Sequence, residues 1–111
     1  MDKILNYQKV LTDYLESWAS QYATGDSVEY QLVCDTIRNH YQLQKVGWRG
    51  DRYIHQTILH FDIRGGKVWI QENRTEVEVG DDLVDLGIPK NDIVLGLQPP
   101  ELRQFTRYAA A

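Results

Sequence analysis

Cysteine is nearly absent from this 111-residue chain. Cys34 stands alone, so no internal disulfide can form and a stapled, secreted scaffold is excluded. No pair of histidines or cysteines has the short spacing of a zinc site, and neither a phosphate loop nor a dinucleotide fingerprint occurs. Long apolar runs are missing too; none approaches the roughly 20 residues that cross a bilayer, so no membrane association is expected. Positive charge is sparse. Twelve Lys and Arg against sixteen Asp and Glu leave a net charge of −4, and the basic residues are scattered. Neutralising several phosphates takes a concentrated basic surface. Tight autonomous DNA binding is therefore not expected, and the balance points to protein partners. Without a secretory signal pattern at the N-terminus, the expected setting is a reducing cytoplasm.

What is present describes one ordinary globular domain over residues 1–111, with 42% hydrophobic and 25% charged residues. Residues 2–22 predict an amphipathic helix. Ile4, Leu11, Tyr14, Leu15, Trp18, Ala19 and Tyr22 share one stripe, Asp2 can cap its start, and Gly25 is a suitable stop. The stripe suits the core of the domain, with a partner helix as the alternative.

The period then changes from 3.6 to two. Val28, Tyr30, Leu32 and Cys34 alternate with polar residues as in a half-buried strand. Arg38-Asn39 makes a turn, and residues 40–48 return as a second strand. Parity slips between Leu43 and Val46, which marks a bulge or burial on both faces. A turn over Gly47–Asp51 leads to a long strand over 52–63, and Arg64-Gly65-Gly66-Lys67 is the clearest hairpin signal. An uninterrupted register across that hairpin sets Ile63 opposite Val68 and Phe61 opposite Ile70 toward the core. Asp62 then faces Trp69, and His60 faces Gln71, on the other side. Beyond this meander, Thr75 and Glu78 have capping-box spacing before a second helix through Val79, Leu83 and Leu86, closed by Gly87. Ile93-Val94-Leu95 is a short buried run, and the tail after Pro99-Pro100 suits one or two helical turns. The fold expected is α+β: a long N-terminal helix on a four-stranded antiparallel meander, then a short helix and a partly helical C-terminal segment.

Candidate chemistry is thin. His60 and Asp62 lie two apart on one strand face, a pairing that serves a general base, half of a metal site, or a hydrogen-bonded sheet surface. His40 and His55 stand alone and read as surface residues. Cys34, alternating with core positions, reads as a small buried hydrophobe. No catalytic, metal or cofactor residues are assigned. The aromatic content is more telling, with three Trp and seven Tyr. Parity sets Ile58, His60, Asp62, Trp69 and Gln71 on the face away from Phe61 and Ile63. That face requires a cover, and these five residues form the candidate protein interface; a homodimer or higher oligomer, a partner protein or the chain's own tail would serve.

These motifs together resemble the XisI family. The resemblance is carried by Val28-Glu29-Tyr30-Gln31-Leu32-Val33-Cys34-Asp35-Thr36, by His40-Tyr41-Gln42-Leu43 leading to Val46-Gly47-Trp48, and by Leu59-His60-Phe61-Asp62-Ile63 with Lys67-Val68-Trp69-Ile70-Gln71. Leu86-Gly87-Ile88-Pro89 through Leu95-Gly96 and the closing Pro99-Pro100-Glu101-Leu102 through Tyr108-Ala109 complete it, in the same order and spacing from about residue 3 to the end. Leu97 and Gln98 depart from the family pattern, which has an aromatic and a histidine there. The resemblance implies a filamentous cyanobacterial source and a regulatory, non-enzymatic role in excision of the fdxN element, a DNA rearrangement of heterocyst differentiation. It also implies an XisH-like partner and a separate site-specific recombinase. The alternatives it leaves are an accessory DNA-binding factor and a subunit restraining an XisH-like protein unrelated to excision.

Overall fold

The computed structural model describes residues 2–22 and 27–111, so the helix stop expected at Gly25 falls outside them. Helix α1 spans Lys3–Tyr22. Asp2 Oδ1 accepts from the Ile4 amide at 2.9 Å, satisfying one of the free donors at the helix start. Tyr7, Leu11, Tyr14 and Leu15 are buried, and Ile4, Trp18, Ala19 and Tyr22 pack around them. The stripe is core, with Tyr7 as an unanticipated member whose ring is buried while its hydroxyl reaches out to Asp92. Trp18 is only half-buried at the margin of this layer.

Four strands follow in a meander: β1 Val28–Asp35, β2 His40–Arg49, β3 Arg52–Arg64 and β4 Lys67–Asn73, each antiparallel to the next. The first and third turns are those the sequence predicts. Asn39 takes φ 62°, and Gly65 and Gly66 take 58° and 79°. Gly47 is not part of a turn, which contains only Gly50-Asp51; it lies within β2 opposite Val28. There the β1 backbone comes so close that a Cβ on Gly47 would collide with the Ser27 carbonyl, and its φ of 148° disfavours any side chain.

After β4 the chain crosses over the helical layer as α2, Val79–Asp85, beside α1, where Tyr14 Oη donates to Asp82 Oδ2 at 2.7 Å. The Thr75–Glu78 capping box does not form. Asn73 Oδ1 accepts both the Thr75 hydroxyl and its amide, at 2.6 and 2.9 Å, so a nearer side-chain acceptor captures the threonine before the helix begins. Gly87 closes α2 at φ 105°. The crossover brings the chain back parallel to β4 as a fifth strand, β5 Ile93–Leu95, with Val68 opposite Ile93 and Ile70 opposite Leu95. The sheet is thus five-stranded and mixed, where a four-stranded antiparallel one was expected. A three-residue strand is too short to show alternation, and only its pairing identifies it. The tail runs as a 3₁₀ segment, Pro100–Phe105, and then returns to β5 through the Ala109 amide on the Ile93 carbonyl at 2.8 Å. No helix of the described residues is long and apolar enough to cross a membrane.

One core lies between the helical layer and the sheet, through Leu11, Leu15, Tyr41, Leu43, Leu59, Phe61, Val68, Ile70, Leu83 and Ile93. A row of rings joins its parts: Phe61 to Tyr14 at 6.2 Å, Tyr14 to Trp18 at 6.4 Å, Trp18 to Tyr22 at 5.5 Å and Tyr22 to Tyr30 of β1 at 4.7 Å. Polar clasps hold the C-terminal third. Tyr7 and Lys3 both donate to Asp92 Oδ2, and Tyr108 and Arg107 donate to Asp81. The Tyr7 hydrogen bond holds the Asp92 carboxyl below its ordinary pKa, while burial and that carboxylate push the Tyr7 phenol up to about 12.

Leu15 is fully buried, so Leu15→Ala is expected to cost about 2–5 kcal/mol in denaturant unfolding. The partly exposed Trp18 should lose less on truncation than the 3–5 kcal/mol of a fully buried aromatic. Asp92 has its carboxyl pKa lowered in the folded chain, so its contribution is fully present above the unfolded value near 4 and fades as pH falls through the folded one. Asp92→Asn should therefore be less stable than the parent at pH 7, by about 1–3 kcal/mol, with the gap closing as pH falls below the ordinary carboxylate range.

Candidate functional site

The open face of the sheet is organised by two slips of register. From the Gly50-Asp51 turn, pairs run in step from Arg49 with Arg52 to Gln44 with Thr57, and then Leu43 meets Leu59. Ile58 is the extra residue. A bulge points consecutive side chains to similar sides, and Ile58 joins Leu59 in the core at 9% exposure. The extra residue belongs to β3, while β2 stays in unbroken register with β1, so Leu43 and Val46 lie on opposite faces of β2 by ordinary alternation. Ile58 is withdrawn from the candidate interface: strict alternation fails at the residue where β3 breaks step. The second slip is on β4. Phe61 meets Ile70 and Asp62 meets Trp69 as expected, but His60 meets Glu72, leaving Gln71 as the bulged residue.

These slips assemble a polar cluster. Beyond the first bulge, His40 pairs with Asp62 across β2 and β3, and His60 lies two residues from Asp62 on the same face. Asp62 is the one buried charged side chain among the described residues. Its Oδ1 lies 2.7 Å from His40 Nδ1 and 2.8 Å from His60 Nε2, while Gln71 Nε2 donates to Oδ2 at 3.2 Å. Burial works to raise the Asp62 pKa, and the hydrogen bonds from His40 and His60, the charge of His60 and the Gln71 amide outweigh it, so the carboxyl sits below its ordinary value. Gln71 is itself seated against Gly96, where a Cβ would collide with its Oε1.

His40 was read as a solitary surface residue. Counted without a slip from the Gly50-Asp51 turn, it falls opposite Phe61 and on the wrong face; the bulge at Ile58 moves it opposite Asp62. A sequence signal existed in the broken parity near Leu43, but it did not say which strand carries the extra residue. Among the described hydrogen bonds neither imidazole meets a hydroxyl or thiol, so the cluster contains a base and its orienting carboxylate without a nucleophile.

Trp69 is on this face as expected, yet it is sandwiched. The guanidiniums of Arg64 and Arg103 lie 4.8 and 5.1 Å from its ring, so the C-terminal tail covers part of the face. Leu102 and Phe105 of that tail point to solvent instead of folding onto the sheet. At the far end the Trp48 and Tyr53 rings meet at 5.1 Å, tilted by 56°, and are each about half exposed, with His55 beside Tyr53. Cys34 is exposed on the edge strand β1 and is not the buried hydrophobe anticipated, because an edge strand at the rim of the helical layer is only partly covered. Partial burial of the thiol pushes its pKa up.

Because Ile58 is core, Ile58→Ala is expected to lower stability by about 2–4 kcal/mol in denaturant unfolding, where an exposed position on this face would lose little.

The XisI protein family model matches residues 1–110. Two solved structures share the architecture. A XisI-like protein from Anabaena variabilis is 44% identical over 97% of this chain and 99% of its own, with a TM-score of 0.93. The fdxN element excision controlling factor XisI from the same organism is 31% identical over 99% of this chain and 100% of its own, with a TM-score of 0.86. No curated protein matches the chain. The likeness extends from end to end, through both turns that frame the bulged strand, and places the protein in its family: this chain belongs to the XisI family.

Proposed function

We propose that this chain is a regulatory, non-catalytic factor that controls excision of a DNA element by binding a protein partner. One observation carries the reading: its fold and sequence follow those of the fdxN element excision controlling factor over essentially the full length of both chains. The charge distribution supports a protein partner. In a meander successive turns lie at opposite ends of the sheet, so Arg49 and Arg52 are separated by the length of β3 from Arg38, Arg64 and Lys67. Arg38 is also paired with Asp35, and Lys67 with the Ala111 carbonyl. These cations do not form one phosphate-binding patch, which weighs against an accessory DNA-binding factor.

The partner in this reading is an XisH-like protein acting alongside a separate recombinase. It docks on the open sheet face, with the half-exposed Trp48–Tyr53 pair as anchor and His60, Asp62, Gln71 and Trp69 at the other end.

Co-expression with the XisH-like protein of the same host, followed by gel filtration and sedimentation, tests this. A stable complex is expected. Trp48→Ala with Tyr53→Ala should weaken it by about thirtyfold or more while the free protein keeps its circular dichroism. Failure to form the complex, together with duplex DNA binding tighter than about 10⁻⁸ M at physiological salt, would reverse the assignment in favour of a DNA-binding factor.

A further inference from the structure

We propose that His40, His60 and Asp62 form a binding site for a divalent transition metal of the zinc class on the open face of the sheet. His40, His60 and Asp62 each offer one ligand atom, and these atoms lie within 4.8 Å of one another. Zinc binds such donors at about 2.0–2.2 Å, which in a tetrahedron sets them roughly 3.3 Å apart. The His–Asp distances of 2.7 and 2.8 Å need to open by only about half an ångström to admit the ion. The half-exposed His40 side chain has room for that movement. All three residues project from paired strands, and neighbouring-strand register together with the i, i+2 relation holds their backbones in place.

Electrostatics gives the second reason. The Asp62 side chain is only 10% exposed, and its ionic partners among the described residues are two histidines that carry charge only when protonated. The guanidiniums on this side of the sheet, Arg64 and Arg103, lie over Trp69 instead. The surroundings already favour the ionised carboxylate, and a divalent ion supplies a permanent charge beside it while using the imidazoles in their neutral, ligating form. The outer shell is also in place. Gln71 engages Asp62 Oδ2 and leaves Oδ1 to the ion. Two imidazoles and one carboxylate suit zinc, and three protein ligands leave a fourth position facing away from the sheet for water or an incoming donor group. The site stands on these residues alone and does not depend on the excision reading.

Untagged protein stripped with a chelator and titrated with Zn²⁺ against a chromophoric competitor tests the site. One equivalent per chain is expected, and Co²⁺ should develop the visible ligand-field absorption of a low-coordinate site. Loss of an outer-shell partner typically costs about 10–100-fold in affinity, so Gln71→Ala should fall in that range and His40→Ala should lose at least as much. His55→Ala, on the same face but away from the cluster, should bind like the parent. Because His40 is half exposed, its variant is expected to keep the parent circular dichroism; His40→Gln gives a second, more conservative check. Absence of saturable binding at micromolar Zn²⁺, or binding that survives both His40 variants, overturns the proposal.

Discussion

The extra residue at Ile58 governs the open side of this protein. A β-strand sends alternate side chains to opposite faces, so one inserted position exchanges the faces for everything beyond it. In β3 the exchange falls between Thr57 and Leu59. On the C-terminal side Leu59, Phe61 and Ile63 face the helices; on the N-terminal side it is Tyr53, His55 and Thr57, of the same parity, that face outward. Without the slip those three polar and aromatic residues would be driven into the core, and His40 would stand opposite Phe61. The burial of Ile58 beside Leu59 stabilises the bulge, since apolar surface removed from water on two successive residues offsets the lost ladder pairing. A second slip at Gln71 completes the arrangement by turning a carboxamide toward Asp62.

The helical layer explains why the sheet tolerates such irregularity. Its buried stripe spans β1 to β3 through the ring row from Tyr30 to Phe61, and α2 extends the same layer over β4 and β5. Carboxylates at the margin tie distant segments together, Asp92 to α1 and Asp81 to the tail. With both α-helices on one side, the other face is left to polar residues, to Trp69 under two arginines and to the exposed Trp48–Tyr53 pair.

Much of the fold was legible beforehand because it rests on local rules. The α1 stripe, Asn39 and the paired glycines at 65 and 66 each impose a conformation within a few residues, and each appears where expected. The failures share a cause. The Thr75–Glu78 cap lost to a closer acceptor at Asn73, β5 was too short to show its period, and Cys34 was assigned a burial that an edge strand does not provide. In all three the outcome is set by a partner or cover that periodicity alone does not select: a competing acceptor two residues away, a parallel strand, and the missing outer neighbour of an edge strand.

The candidate site divides along the same line. By itself the sequence determined that His60 and Asp62 share a face, because residues two apart on a strand must, and that Asp62 faces Trp69, because the glycine hairpin is only three residues away. Tertiary structure alone decided that His40 joins them, that Gln71 approaches from a bulge and that Ile58 leaves for the core. Register propagates from a turn one residue at a time, and a bulge resets it wherever packing of the whole sheet makes the extra residue worth burying.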